Sequence, residues 1–81
     1  MEGSIESLLE FIVHKLVGDV SKVKIERELS PDGEVTVYQV TVSESDMGRV
    51  IGKRGRIAKS IRSIVKAAAI KNNIRAEVKI G

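Results

Sequence analysis

The sequence predicts an α+β fold in which three helices cover one face of a three-stranded sheet, in the order α-β-β-α-α-β. Two patterns predict this order. Apolar residues recur at helical spacing near the N-terminus and again after residue 56, and they alternate with polar residues in three short stretches. Glycine, proline or asparagine separates these segments. With 81 residues, the chain is expected to form one domain over 1–81 with a single modest core.

The first helix is predicted at about residues 4–17. Ser4 stands where a capping side chain is favoured, and Gly18 follows the last apolar position. The apolar residues between them fall on one face, so this helix is expected to cover the core. They are Ile5, Leu8, Leu9, Ile12, Val13 and Leu16.

Two strands are predicted at residues 20–29 and 34–42, joined by the strong turn signal Ser30-Pro31-Asp32-Gly33. They are expected to pair as an antiparallel hairpin. In the second strand the apolar phase changes between Val37 and Tyr38, which predicts a bulge or twist near Tyr38.

A short helix is predicted to begin after Ser45 or Asp46, either of which can cap it, and to end at Ile51. After the Gly52–Gly55 turn, a long helix is predicted over 56–71, ending at Asn72-Asn73. Its predicted core stripe is Ile57, Ile61, Ile64 and Ala68, widened by Val65, and a separate arc of small residues contains Ser60, Ser63 and Ala67. A third strand follows, with Ile74, Ala76, Val78 and Ile80 on one face.

Charge is divided unevenly along the chain. Residues 1–46 carry four Lys/Arg and ten Asp/Glu, whereas residues 47–81 carry ten Lys/Arg and one Glu. No acidic residue occurs between Met47 and Ala76. This division predicts one strongly positive face, which is typical of proteins that bind nucleic acid.

The stretch Val50-Ile51-Gly52-Lys53-Arg54-Gly55 stands at the head of the basic half. Glycines let another backbone approach closely, and a helix N-terminus favours an anion. Lys53 and Arg54 add positive charge at the same place. The turn is therefore expected to bind a phosphate backbone.

Composition argues against several other functions. With no cysteine and one histidine, we expect no metal site, no cofactor and no catalytic residues. A P-loop is excluded because Gly48 to Lys53 is one residue short of its pattern, and Arg54 stands where Ser or Thr would bind magnesium. The start Met-Glu-Gly-Ser lacks the basic region of a signal peptide, and no apolar run is long enough for a bilayer. We expect a cytoplasmic protein without membrane contact.

The element order, the Val50–Gly55 motif between two helices and the basic helix after it together resemble a KH domain of the type II, prokaryotic arrangement. The short chain resembles, more narrowly, the small bacterial single-KH RNA-binding proteins of the KhpA type. This resemblance implies a non-catalytic protein that holds short single-stranded RNA in a groove, with a GXXG loop clamping the backbone. The matching positions are Ile51, Gly52, Lys53, Arg54, Gly55, Arg56, Ile57 and Lys59, with Arg62 as a further candidate. The opposite wall would come from the second strand, around residues 38–42.

The resemblance also implies a partner, either a second copy of this chain or a larger KH-containing protein. Such a protein would act as an RNA chaperone or post-transcriptional regulator. Three alternatives remain: a protein-interaction or dimerisation module, a binder of single-stranded DNA, and a helix-turn-helix DNA binder. The last fits less well, because the long helix lacks the Asn and Gln residues that read bases.

Overall fold

The computed structural model describes residues 4–81, and the predicted cap on the Ser4 side chain lies outside what it describes. Helix α1 spans Ser4–Leu16, within one residue of the prediction. Leu9 and Val13 are fully buried on its inner face. Gly18 follows the helix, and its N–H donates to the Asp46 carboxylate at 3.0 Å.

Strands β1 (Lys24–Leu29) and β2 (Thr36–Thr41) form the predicted antiparallel hairpin. Residues 20–22 form a 3-10 turn instead of the predicted start of β1, because the Asp19 side chain accepts a hydrogen bond from Ser21 N and curls the chain. The hairpin register runs without a break from Lys24 opposite Thr41 to Leu29 opposite Thr36. The bulge predicted near Tyr38 is therefore wrong.

The phase change that predicted the bulge reflects the two faces of β2. Tyr38 and Val40 are buried against the helices, whereas Val37 points to the opposite face and is only half-buried. Val35 lies before the strand, in the turn whose ends are joined by Ser30 N donating to Val35 O. An apolar residue on the uncovered face of the sheet therefore produces the same sequence pattern as a shift of register would.

Helix α2 spans Met47–Ile51 and helix α3 spans Arg56–Lys71, the latter with the predicted bounds. Asn73 ends α3 in a left-handed conformation, with φ of 60°. Its N–H donates to Ile70 O, and the Ile74 N–H donates to Ala69 O at 2.9 Å. These two bonds satisfy carbonyls in the last turn of the helix. No helix within residues 4–81 combines the length and apolar character needed to cross a membrane.

Strand β3 (Ala76–Ile80) pairs with β2 in parallel, with Val78 opposite Tyr38. The sheet order is β1-β2-β3, so β2 is the central strand of a mixed sheet. The three helices cover one sheet face, which confirms the predicted fold class. The core lies between these layers and includes Leu9, Val40 and Val65.

Helix α3 turns a slightly different face to the core than the sequence predicted. Ala58, Ile61, Val65 and Ala69 are buried, whereas Ile64 is 46% exposed. Successive residues of a helix lie about 100° apart around its axis. The buried stripe includes Ala58 and Ala69 and leaves out Ile64, so it is rotated around the axis of α3 relative to the predicted stripe. The predicted inward position of Ile64 is therefore wrong, and this side chain lies at the surface.

Candidate nucleic-acid interface

The turn between α2 and α3 contains three residues with positive φ. Gly52 has φ of 77° and ψ of 172°, Arg54 has φ of 58°, and Gly55 has φ of 73°. Hydrogen bonds from Gly52 N to Gly48 O at 2.8 Å and from Gly55 N to Gly52 O at 3.1 Å hold the turn. A left-handed backbone conformation is uncommon for arginine. The hydrogen bonds made by Gly52 N and Gly55 N on either side hold Arg54 in it.

The two glycines are required for different reasons. A Cβ atom on Gly52 would lie 2.6 Å from Ile57 Cγ1 and 2.9 Å from Ile57 N, so no side chain fits there. A Cβ atom on Gly55 would meet nothing within 4 Å, and only the backbone angle disfavours a side chain. Gly52 therefore fixes the turn against α3, while the surface at Gly55 stays open to an approaching molecule.

Four cations surround this turn, and all four are exposed: Lys53, Arg54, Arg56 and Lys59. Within the described residues, the one ion pair joins Arg49 and Asp46, so no carboxylate there lies within 4.0 Å of these four. No side chain caps the N-terminus of α3 at Gly55. The Arg56 N–H at this end already donates to Lys53 O, so the exposed cations, together with the dipole of α3, form the surface that favours an anion such as phosphate.

Two apolar side chains flank the turn. Ile51 is the last residue of α2 and Ile57 is the second residue of α3, and both are half-buried. Ile57 packs against the core cluster and also against Gly52. The partly exposed surfaces of these two residues can supply an apolar wall beside the cations.

Asp46 is a structural residue whose role differs from the predicted one. Its side chain does not cap α2. Instead, it is buried and accepts hydrogen bonds from Gly18 N at 3.0 Å, Asp19 N at 3.1 Å and the Ser43 hydroxyl at 2.9 Å. Asp46 therefore ties the end of α1 to the start of α2. Sequence alone gives no signal for a bond across 28 positions.

These hydrogen bonds make stability depend on acid pH. The Gly18 N–H, followed by the Ser43 hydroxyl, lowers the pKa of Asp46 below its usual 3.8. A lowered pKa means that the ionised carboxylate stabilises the fold above pH 3.8 and that this contribution is lost as pH falls further. We expect Asp46→Asn to lower the melting temperature at neutral pH and to lose most of that deficit once the pH is well below the pKa of Asp46.

Thermal unfolding at neutral pH and at an acid pH well below the pKa of Asp46 checks this prediction. Glu44→Gln serves as a control, because Glu44 is an exposed acid two residues before Asp46. An equal deficit for Asp46→Asn at both pH values would contradict it.

The expected second wall of the groove does not lie at β2. Both edges of β2 are hydrogen-bonded to other strands, and Tyr38, Val40 and Val42 are buried, so the backbone of this strand cannot meet a base. The open edge beside α3 belongs to β3. There, Arg62 Nε donates to Val78 O at 3.2 Å.

A recess of about 220 Å³ lies between α3 and β3, lined by Arg62, Lys66, Ala76, Glu77 and Val78. Lys59, Arg62 and Lys66 follow one another at helical spacings of three and four, so they form a row along one side of α3. We call these three residues the basic row. It leads from the glycine turn to the recess. The recess was not predicted from the sequence, because alternation does not reveal which strand lies beside α3.

Comparison with known proteins identifies this architecture. A family profile described as the KhpA/KhpB KH domain matches residues 6–80. The chain belongs to this family. The KhpA/KhpB-family chain is 45% identical over 75 residues to a Clostridium perfringens protein named RNA-binding protein KhpA, covering 93% of this chain and 97% of the relative. It is 43% identical over 81 residues to RNA-binding protein KhpA of Borreliella burgdorferi, covering 96% and 93% of the two chains.

The fold of this KhpA/KhpB-family chain also occurs inside a larger protein. Aquifex aeolicus Era, solved as a single-residue variant bound to GDP and aluminium fluoride, matches 94% of this chain with a TM-score of 0.59. The match covers 29% of the Era chain, and sequence identity is 16%, so the likeness is one of fold. The family profile and the KhpA relatives confirm the resemblance that the Val50–Gly55 motif indicated.

Proposed function

We propose that this chain is a non-catalytic protein that binds short single-stranded RNA at the Gly52–Gly55 turn. The observation that carries this proposal is the turn itself, in which two positive-φ glycines flank the exposed Lys53 and Arg54 at the N-terminus of α3. The names of the KhpA relatives as RNA-binding proteins support it.

In the proposed complex, the RNA backbone lies across Gly55, where no side chain obstructs its approach. Lys53 and Arg54 neutralise phosphates, and Arg56 and Lys59 extend the positive surface along α3. Ile51 and Ile57 contact sugar or base surfaces. A KH groove of this kind holds roughly four nucleotides.

Low base specificity follows from the scarcity of aromatic residues. Tyr38 is buried in the core, and Phe11 lies on α1 beneath the Lys15 ammonium, whose Nζ is 5.3 Å from the ring centroid. Stacking platforms on a sheet need several exposed aromatics, which this fold does not offer. We therefore propose a general role as an RNA chaperone or post-transcriptional regulator in the cytoplasm.

The experiment that tests the proposal is titration of a labelled single-stranded RNA, followed by fluorescence anisotropy, with Lys53→Asp/Arg54→Asp. Each lost cation–phosphate hydrogen bond is worth roughly 1.5 kcal/mol or more. Affinity should therefore fall about a hundredfold or more. The wild-type salt dependence should have a slope of about −0.7 for each phosphate neutralised.

Lys22→Asp/Lys24→Asp is the matched control, because it makes the same charge change at two exposed lysines before and at the start of β1. It should weaken binding far less. Equal losses in the two folded double variants would mean that net charge alone governs binding and would exclude the groove. Equal binding of DNA with the same sequence would extend the substrate to single-stranded DNA.

A second proposed function is association through α3, either with another copy of this chain or with a larger KH-containing protein. Ser60, Ser63, Ile64 and Ala67 are all exposed on this helix. Small side chains let another backbone approach closely, and Ile64, 46% exposed, supplies apolar area among them. One KH groove holds few nucleotides, so a paired groove would raise the effective affinity for RNA.

We expect Ile64→Asp to raise the dissociation constant of the dimer at least about tenfold, since a charge would be desolvated in the contact. Analytical ultracentrifugation over a concentration series measures this change. Leu29→Asp is the control, because Leu29 is 66% exposed on the edge strand β1. A wild-type chain that stays monomeric at all concentrations would exclude self-association and direct the search to a different KH protein.

A further inference from the structure

The carbonyl group of Val78 points away from β2, at the open edge of the sheet. Thr36 N donates to Arg75 O and Gly81 N donates to Val40 O, so the backbone groups of residues 75 and 81 face β2. Backbone groups of successive strand residues point alternately to the two sides. Those of Ala76, Val78 and Ile80 therefore point to the open edge, where unpaired groups are available to a ligand.

Arg62 already occupies this edge. Its Nε donates to Val78 O at 3.2 Å in a partly buried position, and both residues line the recess between α3 and β3. Arg62 is the middle member of the basic row, yet its bond goes to a neutral carbonyl. Within the described residues no carboxylate pairs with it. The guanidinium is thus held at the edge by one neutral acceptor.

We propose that Arg62 is a displaceable occupant of the groove, which leaves Val78 O for a phosphate when RNA enters. A guanidinium binds phosphate through two parallel charge-assisted hydrogen bonds, which are stronger than one bond to a neutral carbonyl. The exchange is therefore favourable when a phosphate comes within reach and another donor satisfies the vacated carbonyl. This inference rests on the proposed RNA-binding function.

The vacated carbonyl then needs a donor, because an acceptor that is covered without a partner costs free energy. The exocyclic amino group of adenine or cytosine is a donor of the required kind. When the base lacks an amino group, Arg62 can remain on Val78 O and keep it satisfied. Arg62 would thus reduce the difference in affinity between bases, which agrees with the low specificity proposed above.

Nuclear magnetic resonance tests the displacement in the wild-type protein. The scalar coupling across the hydrogen bond from Arg62 Nε to the Val78 carbonyl carbon is measured before and after saturation with a short oligoadenylate. We expect the coupling in the free protein and its loss in the complex. An oligomer of purine riboside, which lacks only the amino group, should leave the coupling in place.

The variant Arg62→Met removes the occupant and keeps an unbranched side chain at this position. In this variant, Val78 O gains a partner only from the base, so preference for adenosine over purine riboside should increase, by up to about tenfold. The same preference in wild type and variant would overturn the inference, provided that circular dichroism shows both to be folded.

The outcomes separate this inference from the proposed function. If the Gly52 and Gly55 amide resonances shift on adding RNA while the Arg62–Val78 coupling persists, the groove binds RNA but Arg62 is a fixed structural contact, and the inference fails. A coupling absent from the free protein also refutes it. If no resonance of the turn shifts, the proposed RNA-binding function fails, and this inference fails with it.

Discussion

Replacing Gly52 with alanine is expected to destabilise the fold by about 2–6 kcal/mol. The combination of φ 77° and ψ 172° lies in a region occupied almost only by glycine, which costs a side chain about 1–3 kcal/mol. The new Cβ would also press on Ile57, whose backbone nitrogen, 2.9 Å away, cannot rotate aside. Such overpacking typically costs a further 1–3 kcal/mol. A chain of this size has a total stability of only roughly 4–12 kcal/mol.

Two other glycines serve as matched controls. Gly55→Ala should cost only about 1–2 kcal/mol of stability, because the added Cβ is disfavoured by the left-handed backbone angle but contacts no other atom. Gly48→Ala lies inside α2 with nothing within 4 Å and should stabilise the protein by about 0.5–1 kcal/mol. Urea unfolding at equilibrium measures all three. An equal cost at Gly52 and Gly55 would show that backbone angle alone, and not the contact with Ile57, determines the requirement for glycine.

Leu9→Ala is expected to have the other large effect, a loss of about 2–5 kcal/mol. Leu9 is fully buried and belongs to the core between α1 and the sheet. Removing its three outer carbon atoms leaves a cavity that a close-packed core cannot fill without moving backbone. Urea denaturation again gives the change in the free energy of unfolding.

Leu29→Ala removes the same atoms from a side chain that is 66% exposed, so it should change stability by less than about 1 kcal/mol. If the two leucine variants unfolded at the same urea concentration, α1 would not be packed on the sheet as described. If Leu9→Ala retained stability but bound RNA weakly, the effect would instead lie in the position of the glycine turn.

Strong local signals made much of the fold predictable from sequence. The bounds of α3 follow from Gly55 before it and Asn72-Asn73 after it, and both signals work through the backbone angles that these residues favour. The glycine turn was predictable for the same reason. Its conformation is held by hydrogen bonds between residues that are near in sequence, so distant parts of the chain contribute little to it.

The features that sequence reasoning missed depend on distant partners. Alternation cannot reveal which strand is central, so the open edge of β3 and the bond between Arg62 and Val78 O were not predictable. Asp46 carries a sequence signal for capping, and its actual bonds to Gly18 and Asp19 depend on where α1 ends in space.

The central position of β2 has a consequence for the order in which the chain folds. Its partner β1 lies just across a short turn, so the hairpin can form within microseconds of collapse. Its other partner is separated by both α2 and α3, as in the pairing of Thr36 with Ala76. Loop closure over that span is slow until the intervening helices shorten it. We therefore expect the glycine turn to take its shape before β3 pairs with β2, so the β3 side of the proposed groove, with Val78 and the recess, is completed last.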